Sequence, residues 1–143
     1  MRVEAYGIEQ TMACAAELAK AIGPGTVICL DGELGAGKTA FVRGLARALH
    51  YDGYVSSPTF TLINEYMADL PIYHFDVYRI QDPDELFDIG LDDYLFGSGV
   101  CVIEWAAYIR SVLPEGCIDV TIARDDKKGE DYRVITITGG GLS

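Results

Sequence analysis

The sequence predicts an α/β fold in which helices flank a mixed sheet. Three observations predict it. The apolar run Thr26–Asp31 leads into a glycine-rich stretch and then into a helical pattern over Lys38–Leu49, so the hydrophobic period changes across one short loop. Further short apolar runs recur along the chain between turn signals. The polar stretch Asp125–Asp131 between two such runs is too short for a crossover, so those strands are antiparallel neighbours and the sheet is not purely parallel.

In chain order, Arg2–Tyr6 reads as a first strand. Glu9–Ile22 is alanine-rich and helical, with Gly23-Pro24 as its stop. After the Thr26–Asp31 strand, Lys38–Leu49 places Phe41, Leu45, Ala48 and Leu49 at helical spacing. Asp52–Pro58 reads as a loop, and Phe60–Met67 and Pro71–Tyr78 as strands. Asp82-Pro83-Asp84-Glu85 opens a helix: an acidic N-cap, proline at the first helical position and glutamate at the third. Gly90 is expected to end it. Gly99–Trp105, Cys117–Ala123 and Arg133–Thr138 complete the strands.

A chain of 143 residues, half of them apolar, can bury one core. Residues 1–138 are expected to form a single domain and 139–143 a disordered tail. No apolar run approaches the roughly 18–20 residues of a membrane span, and the N-terminus lacks a signal-peptide pattern. A cytoplasmic protein without membrane contact is the expectation. A net charge of −11 argues against direct, sequence-independent capture of nucleic acid; RNA would have to be reached through a basic partner. Cys14, Cys29, Cys101 and Cys117 form no CxxC pair and read as buried thiols. The acidic residues between Asp82 and Asp93 read as a solvated helix face, with a docking surface as the alternative.

Chemistry is concentrated at Gly32-Glu33-Leu34-Gly35-Ala36-Gly37-Lys38-Thr39, which fits G-x-x-x-x-G-K-[ST] at every fixed position. Glycines let the backbone curl so that successive N–H groups converge on phosphate oxygens. The helix that follows adds its N-terminal dipole to the same anion. Lys38 can reach the β- and γ-phosphates and the Thr39 hydroxyl can ligate Mg²⁺. The expected cofactors are therefore ATP and Mg²⁺, with Gly35, Ala36, Gly37, Lys38, Thr39 and Ala40 as the ATP-binding segment.

Such a site needs a carboxylate on the Mg²⁺ side at the end of an apolar strand. Asp76 and Glu104 both qualify. Strand alternation puts His74 on the same face as Asp76, where it could bond Asp76 or simply pack. Trp105, the only tryptophan, could pack or form a gate near the nucleotide. Ser56-Ser57-Pro58-Thr59 could be a plain turn or a switch-like loop that orders around the γ-phosphate.

These residues carry a resemblance. GELGAGKT at Gly32–Thr39, SPTFTL at Ser57–Leu62, HFDVYR at His74–Arg79, ELFDIGLDDYL at Glu85–Leu95 and IEW at Ile103–Trp105 occur in order over most of the chain. In that set the chain resembles the TsaE family of small bacterial ATPases in tRNA threonylcarbamoyladenosine biosynthesis. The resemblance implies a central seven-stranded, mostly parallel mixed sheet and weak intrinsic ATP hydrolysis. It implies TsaD and TsaB homologues as protein partners, with tRNA contacted only through that complex. TsaB–TsaD transfers the threonylcarbamoyl group to the adenosine next to the anticodon, and ATP turnover by the TsaE subunit is thought to reset the complex. By the same resemblance Lys38 is the phosphate lysine, Thr39 and Glu104 hold Mg²⁺, and Asp76 acts near the γ-phosphate or its attacking water. Ser57, Pro58 and Thr59 form the switch-like motif, Trp105 follows the Mg²⁺ carboxylate, and Thr11 and Arg133 contact the nucleotide.

A small-molecule kinase is an alternative, but the seven arginines are scattered and no lid-like insertion is visible. A GTPase would need N-K-x-D, and Asn64 is the only asparagine. A nucleotide-gated binding module without useful hydrolysis is the remaining alternative. Arg79, after the Asp76 run, is the nearest candidate for an arginine finger.

Overall fold

The computed structural model describes residues 1–33, 36–56, 58, 63–78, 82, 84–88 and 90–140, apart from the Tyr108 side chain. Among them the order is β1 (Arg2–Ala5), α1 (Ile8–Ala19), β2 (Val27–Gly32), α2 (Lys38–Ala48), β3 (Ile63–Tyr66), β4 (Ile72–Asp76), α3 (Asp84–Asp88), α4 (Leu91–Leu95), β5 (Val100–Glu104), β6 (Ile118–Arg124) and β7 (Arg133–Gly139). Two 3-10 segments, Ala106–Val112 and Asp126–Lys128, lie on either side of β6.

The strands form one sheet in the order β1-β7-β6-β2-β5-β4-β3. The four central strands β6, β2, β5 and β4 are mutually parallel. At the edges, β7 runs antiparallel to β6, β1 antiparallel to β7, and β3 antiparallel to β4. The mixed sheet expected from the sequence is thus present, with parallel pairing confined to its centre. Central parallel strands are covered on both faces and so read as continuous apolar runs. All five residues of β5, Val-Cys-Val-Ile-Glu, are buried, including the glutamate.

Two apolar layers follow from strand alternation. On one face Ile28, Leu30, Ile72, Val100, Val102 and Val120 pack with Leu18 of α1 and Phe41 and Leu45 of α2. On the other, Val27, Cys29, Phe75, Cys101 and Ile103 pack with Leu86 of α3, Leu91 and Leu95 of α4, and Ile109. Each fully buried side chain of this size contributes about 1.5–3 kcal/mol relative to exposure. All four cysteines are buried thiols in these layers. The acidic residues of α3 and α4 are exposed while Leu86, Leu91 and Leu95 point inward, as both a solvated face and a docking surface require.

Several boundaries differ from expectation. α1 closes at Ala19 rather than at Ile22, because the Lys20 and Ala21 amides turn back to Glu17 and Leu18 carbonyls. Gly23 is therefore not its cap; its amide bonds the Thr26 hydroxyl and starts the turn into β2. The Asp82 side chain accepts from the Asp84 amide as an N-cap does. Gly90, at φ +85°, closes α3 through the Phe87 carbonyl and also caps a second short helix, α4, that the sequence reading missed. Gly139, expected at the start of the tail, pairs with Ile118 as the last residue of β7. No helix among the described residues is long and apolar enough to cross a membrane.

Candidate nucleotide site

The carboxyl ends of the central parallel strands carry the chemistry, as is usual for open α/β sheets. β2 runs into the glycine loop at Gly32, β5 ends on Glu104 and β4 ends on Asp76. Parallel register sets Leu30 and Asp76 on either side of Glu104. The predicted carboxylates are thus neighbours beneath the loop.

Where described, the loop has the conformation that the motif requires. Gly37 sits at φ +103° as the N-cap of α2, a left-handed conformation that side chains disfavour. Lys38, Thr39 and Ala40 form the first turn of α2, whose N-terminal amides suit an anion. Ala36 is fully buried, and its carbonyl accepts from the Arg133 Nε at 2.8 Å. Arg133 also donates to the carbonyls of Glu130 and Tyr132. The first residue of β7 thereby anchors the far side of the loop, a role that motif spacing does not reveal.

Glu104 is the centre of the site. It is 4% exposed. Its Oε1 lies 3.3 Å from Lys38 Nζ and its Oε2 lies 2.6 Å from His74 Nε2. Burial alone would raise its pKa, but the bond to His74, and then the charge and hydrogen bond of Lys38, outweigh it and hold the carboxyl below its ordinary value. Glu104 is therefore an ionised acceptor, and the His74 nitrogen facing it is the N–H donor. The sequence left His74 to bond Asp76 or simply pack; in the structure its partner is Glu104, which that reading did not consider. Asp76 is half-buried and its Oδ1 accepts from the Tyr78 amide at 3.0 Å.

Trp105 adopts φ +62° immediately after β5, and its ring lies over Lys38. Lys38 Nζ stands 4.9 Å from the ring centroid and the Tyr78 ring packs at 4.8 Å, within cation–π range. Thr11 is buried in the first turn of α1, with its amide on the Gly7 carbonyl. Pro58 is buried. Leu34, Gly35, Ser57, Thr59 and Arg79 lie outside the described residues. Ser56, just before them, is held by the Tyr66 hydroxyl and the Asn64 amide.

The residues fit Mg²⁺. A hard cation at such a site takes few protein oxygens and completes its shell with phosphate and water. A hydroxyl at the start of α2 and one buried carboxylate supply that donor set. No group of three or more acidic, histidine or cysteine ligands occurs among the described residues.

Strand, glycine loop, helix and a buried carboxylate on the neighbouring parallel strand define the P-loop class of α/β protein. The family model described as "Threonylcarbamoyl adenosine biosynthesis protein TsaE" matches residues 6–134. The chain belongs to the TsaE family, whose members are tRNA threonylcarbamoyladenosine biosynthesis proteins. It is 47% identical to the Bacillus subtilis TsaE over 134 residues, covering 93% of this chain and 82% of that one. It is 39% identical to the Treponema pallidum TsaE over 122 residues, covering 85% and 90%. The fold matches the crystal structure of Bacillus subtilis YdiB with a TM-score of 0.79 at 39% identity, over 99% of this chain and 86% of that one.

Proposed function

We propose that this chain is the Mg²⁺-dependent ATPase subunit that supports TsaB and TsaD homologues in tRNA threonylcarbamoyladenosine formation. The observation that carries it is the buried Glu104 carboxylate facing Lys38 at the mouth of the loop. A metal carboxylate and a phosphate lysine must lie within reach of one ligand for phosphoryl transfer.

In this reading the loop amides and Lys38 bind the phosphates. Lys38 must leave Glu104 to do so, and Glu104 and Thr39 then hold Mg²⁺. The metal, when bound, supplies charge neutralisation on the phosphate oxygens. Asp76, beside Glu104 in register, orients the attacking water or shares the metal. Trp105 and Tyr78 shield the lysine from solvent. Thr11, Ala40 and Arg133 border the nucleotide, and the segment around Ser57, Pro58 and Thr59 responds to the γ-phosphate. Hydrolysis by the chain alone is slow, because Arg133, the arginine bonded to the loop, spends hydrogen bonds on the carbonyls of Ala36, Glu130 and Tyr132. With so acidic a surface, tRNA is met through the partners, in the cytoplasm.

Steady-state ATP and GTP turnover tests this, measured alone and with TsaB and TsaD homologues, with Lys38→Ala as control. ATP turnover that rises with the partners and vanishes in the variant is expected. ATP binding without turnover under either condition would replace the ATPase reading with a nucleotide-gated binding module.

A further inference from the structure

We propose that His74 is a positioning residue for the metal carboxylate: its Nε2–H holds one oxygen of Glu104 and leaves the other directed at the phosphate loop. The inference rests on the Mg²⁺·ATP reading of the site and assigns to it a residue that touches neither nucleotide nor metal.

His74 is fully buried in the middle of β4. Its Nε2 lies 2.6 Å from Glu104 Oε2, whereas its Nδ1 has no hydrogen-bond partner among the described residues. Burying a polar atom unpaired is costly, and an aromatic ring such as phenylalanine would fill similar space without that cost. The imidazole is therefore kept for the one bond it makes. Because Glu104 is an acceptor only, that bond requires the proton on Nε2. In the neutral ring the unpaired atom is then a lone pair rather than a stranded N–H.

The bond constrains a rotor. A glutamate carboxylate turns freely about its last torsion, and without His74 both oxygens of Glu104 could close on Lys38. His74 takes Oε2, so Lys38 meets only Oε1, at 3.3 Å. Lys38 can then be drawn away by phosphate while Glu104 keeps its orientation for Mg²⁺. The ring itself is braced on its other side. Tyr66 packs against it with centroids 6.3 Å apart, and the Tyr66 hydroxyl donates to the Ser56 carbonyl at 2.9 Å. Outer partners of this kind orient metal ligands, and their loss usually weakens metal affinity by about 10–100-fold.

The test is a Mg²⁺ titration of ATP binding for the wild-type chain, His74→Phe and His74→Gln, with thermal melts of each. His74→Phe should raise the Mg²⁺ concentration for half-maximal tightening by about tenfold, a larger change than any in metal-free ATP affinity. His74→Gln, which can return an N–H to Glu104, should recover most of the loss. A wild-type Mg²⁺ response in His74→Phe overturns the proposal. So does a loss that glutamine fails to rescue and that merely follows a fall in melting temperature. Should the phenylalanine variant not fold, long-range ¹⁵N–¹H spectra of the wild-type imidazole decide. An Nε2–H tautomer whose signal moves when Mg²⁺ is added to the ATP complex supports the proposal, and an Nδ1–H tautomer refutes it. Wild-type ATP affinity that ignores Mg²⁺ would instead overturn the metal reading beneath it, and this inference with it.

Discussion

Replacing Lys38 by methionine and Glu104 by glutamine, singly and together, measures the ion pair that holds Lys38 in the nucleotide-free protein. The two side chains are 10% and 5% exposed with 3.3 Å between charges. At that separation and an effective dielectric of about 20, Coulomb attraction is about 5 kcal/mol, most of it offset by the desolvation of both ions. Either single change strands one largely buried charge, and should cost about 2–4 kcal/mol. His74 on Glu104 and the Trp105 ring beside Lys38 soften the loss. The double variant removes both charges and should cost less than the sum of the singles by about 1–3 kcal/mol. Urea denaturation of the four nucleotide-free proteins reads this directly. A coupling energy below about 0.5 kcal/mol would mean that the pair is not formed in solution, and that ATP need not displace Lys38 from Glu104.

The same carboxylate sets an acid limit. Its pKa is lowered in the folded chain from an ordinary 4.5, so its stabilisation is fully present above that value and is lost as pH falls through the folded pKa. Glu104→Gln should flatten the acid limb of a stability–pH curve; an unchanged limb would refute the assignment. Trp105, the only tryptophan, reports on Lys38, so its emission should change on ATP binding, and should not in Lys38→Ala. At Gly44 an added Cβ would meet the Met12 carbonyl and Cα of α1 at 2.6 Å. Gly44→Ala should therefore destabilise by about 1–3 kcal/mol despite alanine's better helix propensity, and a raised melting temperature would show that α1 and α2 are less tightly apposed.

Legibility followed sequence distance. The glycine loop, the preceding strand and α2 were readable because they depend on adjacent residues. Conformation at Gly37, the anion-seeking N-terminus of α2 and the reach of Lys38 all lie within one turn. The Asp82 cap and the apolar runs of β5 and β4 were local in the same way. The 3-10 segment Ala106–Val112 and the short helix α4 escaped because neither spans enough residues to establish a period, and their apolar side chains are placed by the layer they cover.

By itself, then, the sequence determined the glycine loop between strand and helix, the two candidate carboxylates at strand ends and the family. It could not determine which carboxylate His74 meets. Alternation correctly placed His74 and Asp76 on one face, but same-face neighbours along a strand stand about 7 Å apart, and Asp76 has the Tyr78 amide nearer at hand. Glu104 is 30 residues from His74 in sequence and comes beside it only because β4 and β5 pair in parallel, with Asp76 opposite Glu104. Tertiary structure likewise decided that Arg133, 97 residues from Ala36, would anchor the loop. Both contacts depend on register between strands, a property of the assembled sheet that no local pattern of residues encodes.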